Sequence, residues 1–112
     1  MSIYTYIPNI SDLLTEIPAD SIVSREVMTA DGVKAILFGF APGQELSEHT
    51  ASRPAVLHFL RGEAKLTLAG DSMTVEPGAL VHMPAHMPHS VYAVDEVTML
   101  LYLLPPSTEA GA

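Results

Sequence analysis

Five histidines, all between His49 and His89, are the residues of this sequence best suited to chemistry. A neutral imidazole is the commonest metal ligand in proteins and the usual acid–base group near pH 7. The chain has no cysteine, so it offers neither a thiolate nucleophile nor Cys-ligated zinc. Histidines confined to one segment therefore indicate a metal site or an acid–base site, although a single histidine on a strand is more often a packed or surface residue.

Other kinds of site are disfavoured. Ser47 near His49 lacks the Gly-rich elbow of a serine nucleophile, and the seven glycines are too dispersed for a phosphate loop.

Thirteen acidic residues against five Lys and Arg give a net charge of −8, which argues against nucleic acid and anionic membranes as partners. No basic residue precedes Arg25, and the longest apolar stretch, Val97–Leu104, is far shorter than the roughly 20 residues that a bilayer needs. We therefore expect a cytoplasmic protein with no membrane partner and no nucleic-acid partner.

The elements that must position the histidines are predicted to be short β-strands. Turn dipeptides separate apolar runs at short intervals, which is typical of an all-β sandwich or barrel. Asp31-Gly32 favours a hairpin, because both central positions of a type I′ turn need positive φ. The strand candidates are Ile22–Thr29, Val33–Ala41, Ala55–Arg61, Ala64–Ala69, Ser72–Val75, Ala79–Met83, His89–Val94 and Val97–Leu104.

Residues 1–20 are predicted to form an N-terminal arm in front of the strands. A short helix is expected over Asp12–Ile17, since Asn9 or Ser11 could cap it. Pro18 would end this helix, because proline cannot continue the helical hydrogen bonds.

Residues 21–104 are predicted to form a single barrel, and residues 105–112 a disordered tail. Two of the strand candidates, Val33–Ala41 and Val97–Leu104, are apolar on both faces. One face of each must pack on something outside the barrel. In so small a domain we expect the cover to be a second copy of the chain, which predicts a homodimer.

The stretch from Pro42 to Ala93 resembles the two signature motifs of the cupin family. The matching positions of the first motif are Gly43, His49 and Gly62, and those of the second are Gly78, Pro84 and His89. This resemblance implies an all-β, single-domain jelly-roll barrel with a metal site in its interior.

The motifs depart from the family pattern at their ligand positions. Ala51 stands where the family has a second His, and Ala55 stands where it has a Glu. Of the four metal ligands that the resemblance implies, His49 and His89 remain. Two imidazoles alone make a weak site, because catalytic metals usually keep at least three protein ligands.

His86 and His58 are the two candidates for a third metal ligand. His86 stands where the second motif has a glycine, and an imidazole there could hang over the barrel mouth. His58 lies between Leu57 and Phe59, and strand alternation turns it outward if these two point inward. The same parity turns His82 away from the core.

The resemblance implies a divalent ion (Zn, Fe, Mn, Ni or Cu) held by His49 and His89, with His86, His58 or water completing the site. This ion would act on a small polar organic substrate. The resemblance implies oxygenase, isomerase or decarboxylase chemistry without choosing among them. The alternative is a non-catalytic barrel that has lost its metal and binds or senses a small molecule. Ala51 and Ala55 would then make the cavity larger and less polar. Arg53 could hold an anionic substrate at the mouth of the barrel or be a solvent-exposed loop charge.

Overall fold

Residues 3–106, which the computed structural model describes, are built mostly from β-strands. Each of the eight predicted strands is confirmed to within one residue at either end, whereas the strand Glu45–His49 is not foreseen from the sequence. The strands are β1 (Ile22–Ala30), β2 (Val33–Phe40), β3 (Glu45–His49), β4 (Ala55–Arg61), β5 (Ala64–Leu68), β6 (Asp71–Val75), β7 (Leu80–Met83), β8 (His89–Ala93) and β9 (Val97–Leu103).

The strands form two facing antiparallel sheets, which confirms the jelly-roll barrel. The larger sheet has the order β1-β2-β9-β4-β7, and the smaller has the order β3-β8-β5-β6. Alternate side chains point into the space between the sheets, where Phe40, Phe59 and Leu66 are fully buried. Burial of this apolar interior fixes which side chains of each strand face inward.

The β1–β2 hairpin turns at Asp31-Gly32, as the sequence predicts. Both residues have positive φ, 52° and 81°, so the turn follows the right-handed twist of the strands. Nearby, the Thr29 hydroxyl donates to the Glu26 carboxylate at 2.6 Å, and Lys34 lies 3.5 Å from the same carboxylate. The Thr29 bond, followed by the charge of Lys34, lowers the pKa of Glu26. This surface contact is therefore retained at neutral pH and lost when acid protonates Glu26.

The N-terminal arm contains one 3₁₀ turn in place of the predicted helix. The turn spans Ile10–Leu13, and the Asn9 side chain caps it by accepting a hydrogen bond from the backbone N–H of Ser11 at 3.1 Å. Asn9 thus acts as a cap, but it caps the 3₁₀ turn. The prediction of a helix over Asp12–Ile17 is wrong. A segment of six residues is too short to hold a helix by local hydrogen bonds alone, so its packing decides its conformation.

That packing is on the outer face of the larger sheet. Leu14 and Ile17 lie over Gly39 of β2, so closely that a Cβ there would come within 2.7 Å of Ile17 and 2.9 Å of Leu14. On the same face, Leu37 of β2 and Leu100 of β9 are neighbours and are both buried. The N-terminal arm of the same chain therefore covers part of the apolar face that a second copy is predicted to cover.

The two ends of the chain extend past the described residues. Pro105 and Pro106 follow β9 as exposed chain, and the rest of the tail predicted at 105–112 lies outside the described range. The division into arm, barrel and tail stays a prediction. Within residues 3–106, no helix has the length and hydropathy needed to span a membrane.

Replacing Gly62 with Ala is expected to lower the free energy of unfolding by at least about 3 kcal/mol. Gly62 has φ 82° in the turn between β4 and β5, and an added Cβ would overlap the backbone carbonyl oxygen of Glu96. Gly70→Ala is the matched control, because φ is 89° there but no described atom lies within 4 Å of the added Cβ. Its expected loss is about 1 kcal/mol. Urea unfolding measures both variants, and equal losses would contradict the close approach at Gly62.

Candidate functional site

A small pocket opens at the end of the barrel where β3 ends and β8 begins. Its volume is about 50 Å³, enough for a few water-sized groups. Of the ten lining side chains seven are apolar and none is acidic. The lining residues are His49, Ala51, Arg53, Ala55, Met83, Pro84, Met87, His89, Leu101 and Leu103.

A β-bulge in β3 turns His49 towards this pocket. Leu46 pairs with Val91 and His49 pairs with His89, so two residues of β3 stand opposite a single residue of β8. Leu46 packs against the core. Three positions separate Leu46 from His49, and in a regular strand that spacing would place the two side chains on opposite faces. The extra residue of the bulge restores His49 to the inner face, next to His89.

Both imidazoles are held through Nδ1 by backbone carbonyls two residues earlier. Nδ1 of His49 lies 2.8 Å from the carbonyl oxygen of Ser47, and Nδ1 of His89 lies 2.9 Å from that of Met87. A carbonyl only accepts hydrogen bonds, so Nδ1 carries the proton in each ring. Nε2 of each neutral imidazole is left with its lone pair. Metal-binding histidines characteristically make such a bond through their other nitrogen.

The two rings lie next to each other and can be reached from solvent. Their centroids are 4.2 Å apart and their planes are tilted by 58°. His89 is 8% exposed, whereas His49 is exposed. The pair therefore offers two nitrogen lone pairs to a ligand or ion that enters the pocket.

His58 and His82 are turned away from the pair. His58 lies between Leu57 and Phe59, both buried in the core, so its own side chain points to the outer face of the larger sheet. His82 is exposed on β7 and pairs with Val56 of β4. Strand alternation predicts both directions correctly.

His86 lies in the turn before β8 and contributes its backbone to the site. Its φ is 68°, in the left-handed region that histidine tolerates better than most residues, and its side chain is exposed. The backbone N–H of His86 donates to the carbonyl of Ala51 at 2.7 Å, which ties together the two loops that flank the pocket. Within the described range, no three side chains of His, Asp or Glu gather as a metal-binding group. The role of His86 as the third ligand stays a prediction, whereas the direction of His58 places its imidazole on the opposite face of the sheet from the pair.

Arg53 is held in place by backbone carbonyls and is not a solvated loop charge. Its Nε donates to the carbonyl of Leu104 at 2.7 Å, and one Nη donates to the carbonyls of Leu103 (3.2 Å) and Gly32. The half-buried guanidinium thus joins the pocket wall to the end of β9 and to the β1–β2 turn. Its position is fixed by backbone atoms from two separate parts of the fold.

Strand β3 and its bulge are the part of the site that sequence reasoning misses. The segment Glu45–His49 has a single apolar residue, Leu46, so no apolar alternation marks it as a strand. A signal does exist in the motif spacing. If Leu46 and His49 both face inward, their separation by three positions requires a bulge between them.

The sequence profile of the cupin domain family matches residues 36–105, which is more than half of the chain. The chain therefore belongs to the cupin family. No curated protein matches the chain in sequence.

Solved structures share the fold along most of the chain. A cupin superfamily protein from Desulfitobacterium hafniense DCB-2 is 26% identical with a TM-score of 0.79, over 86% of this chain and 87% of that one. A conserved protein of unknown function from Streptococcus pyogenes is 27% identical with a TM-score of 0.80, over 94% of this chain and 91% of that one. Salicylate 1,2-dioxygenase from Pseudoaminobacter salicylatoxidans is 14% identical with a TM-score of 0.72, over 77% of this chain and 26% of the enzyme. This last likeness is one of fold alone.

Replacing Arg53 with Gln is expected to lower the free energy of unfolding by about 3 kcal/mol, because it removes charged donors from three backbone carbonyls. Arg61→Gln is the matched control. Arg61 is largely exposed and forms an ion pair with Glu96 at 3.0 Å, so its loss should cost less than about 1 kcal/mol. Urea unfolding of both variants measures the difference, and an Arg53 variant as stable as the Arg61 variant would contradict the structural role of Arg53.

Proposed function

We propose that the pocket binds a divalent transition metal through Nε2 of His49 and Nε2 of His89, and that the bound ion takes a small polar ligand. The observation that carries this proposal is that both rings are bonded to the backbone through the same nitrogen, Nδ1. Each Nδ1 is bonded to a backbone carbonyl, so the nitrogen left to bind is the same in both rings. Imidazole is a suitable ligand for Zn, Fe, Ni and Cu. Mn prefers oxygen ligands, so it would depend more on the water or bound molecule that completes the site.

The two histidines fit such an ion as a partial donor set. They supply two ligands, and no carboxylate lines the pocket to add a third. Water or the bound molecule would fill the other coordination positions. An ion held in this way would act as a Lewis acid on an oxygen of that molecule. His49 and His89 would hold and orient the ion, while the apolar wall formed by Met83, Leu101 and Leu103 would limit the access of bulk water.

Metal-free binding of a small molecule is the second candidate function, and the lining of the pocket favours it. Ala51 and Ala55 present only methyl groups to the cavity, and most of the other lining side chains are apolar as well. Such a pocket can hold a small ligand with no ion, because apolar walls and a few polar groups are the usual composition of ligand sites.

We also propose that the barrel forms a homodimer through the outer face of the larger sheet. The arm covers Gly39, but Val56, Leu60 and Tyr102 on the same face are only partly buried, and Leu80 at the sheet edge is 68% exposed. Burying these apolar side chains against a second copy would remove them from water. Light scattering at micromolar concentration should give twice the mass of one chain, and the mass of a single chain would contradict the dimer.

The untagged protein is expected to bind one Zn²⁺ per chain, as measured by calorimetric titration after removal of metal with a chelator. His49→Ala and His89→Ala should each weaken the affinity by at least about tenfold, since each removes one of two ligands. His82→Ala is the matched control, because His82 is exposed on the outer face of β7, and it should bind as the wild type does.

The same titration addresses the third ligand. A weaker affinity in His86→Ala would identify His86 as the third ligand, and unchanged affinity would leave the remaining positions to water. His58→Ala should bind as the wild type does, because His58 faces the outer side of the larger sheet. The metal proposal is contradicted if the untagged protein carries no ion near one per chain and if added Zn²⁺ or Ni²⁺ leaves its melting temperature unchanged. That result would favour metal-free binding of a small molecule as the function of the pocket.

A further inference from the structure

The charge of the pocket is opposite to that of the whole molecule. The chain carries thirteen Asp and Glu and a net charge of −8, yet no carboxylate lines the pocket. The three polar lining side chains are His49, His89 and Arg53, all of them basic. A charge of one sign lining a cleft with low-dielectric walls attracts ligands of the opposite sign.

Arg53 holds the fixed positive charge of this pocket without a carboxylate partner. The ion pairs of residues 3–106 join Lys34 to Glu26 and Arg61 to Glu96, and neither includes Arg53. Its Nε and one Nη are bound to neutral carbonyl oxygens, and the other Nη has no hydrogen-bond partner within the same range. Neutral carbonyl dipoles compensate only part of the charge of a half-buried guanidinium. An anion bound next to Arg53 would therefore be stabilised by a charge-assisted hydrogen bond.

We infer that the pocket binds a small carboxylate with a short apolar chain, and that Arg53 is the residue that selects for its negative charge. The inference rests on the pocket being the binding site of the proposed function. The volume of about 50 Å³ admits a group of a few heavy atoms. The apolar wall favours a monoanion with a hydrocarbon part over phosphate or sulfate, whose oxygens would need several more donors than the guanidinium of Arg53 supplies.

Arg53 would act as a specificity residue held in a fixed position. Because the carbonyls of Leu103, Leu104 and Gly32 hold the guanidinium before any ligand arrives, binding costs little side-chain entropy. Lysine cannot reproduce this planar arrangement of donors. A carboxylate oxygen near the histidine pair could also reach a bound metal, so the same ligand suits both the metal-free and the metal-bound pocket.

Propanoate and propanamide are the matched probes, because they share a shape and differ in charge. Each is titrated into ¹⁵N-labelled protein at constant ionic strength, once after chelation of metal and once with Zn²⁺ added. We expect propanoate to give saturable shifts of the amide signals of Ala51, Ala55 and Leu103 in the metal-free protein, and propanamide to bind at least about tenfold more weakly. Arg53→Gln should abolish this preference, whereas Arg61→Gln should retain it.

The comparison of the two probes in the wild type needs no variant, so the test stands even if Arg53→Gln fails to fold. Equal binding of propanoate and propanamide overturns the inference, as does the absence of saturable shifts from either probe. Propanoate binding that appears only with Zn²⁺ and persists in folded Arg53→Gln overturns it too, since the metal would then hold the anion. Propanoate binding that depends on Arg53 in a protein that takes up no Zn²⁺ supports the inference and rejects the metal proposal.

Discussion

The β-bulge between Leu46 and His49 is the constraint on which the candidate site depends. It lets one strand place an apolar residue in the core and, three positions later, an imidazole on the same inner face. The bulge also leaves the Ser47 carbonyl 2.8 Å from Nδ1 of His49. One extra residue in a ladder therefore sets both the direction of the ring and the position of its proton, while the turn before β8 does the same for His89 through Met87.

The rest of the pocket is supported by backbone contacts between segments that are far apart in sequence. The N–H of His86 reaches the carbonyl of Ala51, and the guanidinium of Arg53 reaches the ends of β9 and the β1–β2 turn. These bonds hold the loops that carry the two motifs against the barrel. A site held in this way can keep two imidazoles and one guanidinium together without a carboxylate between them, in a protein that is otherwise strongly acidic.

Most of the fold can be predicted from the sequence, because apolar runs and turn residues specify strands locally. The Asp31-Gly32 hairpin and the outward direction of His58 both follow from rules of local geometry. The arm and β3 could not be predicted in the same way. Leu14 and Ile17 adopt the conformation that packs over Gly39, a contact between distant segments, and Glu45–His49 is a strand only because β8 pairs with it. The prediction that His49 and His89 both face the barrel interior rests on the resemblance to the cupin motifs. The fixed position of Arg53 depends on distant carbonyls that no local pattern reveals.

The central claim is that His49 and His89 present Nε2 together, and long-range ¹H–¹⁵N correlation of the histidine rings tests it most directly. In metal-free protein both rings should show the proton on Nδ1, the tautomer that the Ser47 and Met87 carbonyls require. One equivalent of Zn²⁺ should then shift the Nε2 signals of these two residues and leave that of His82 unchanged. A proton on Nε2 in either metal-free ring, or a Zn²⁺ response confined to other histidines, would contradict the account.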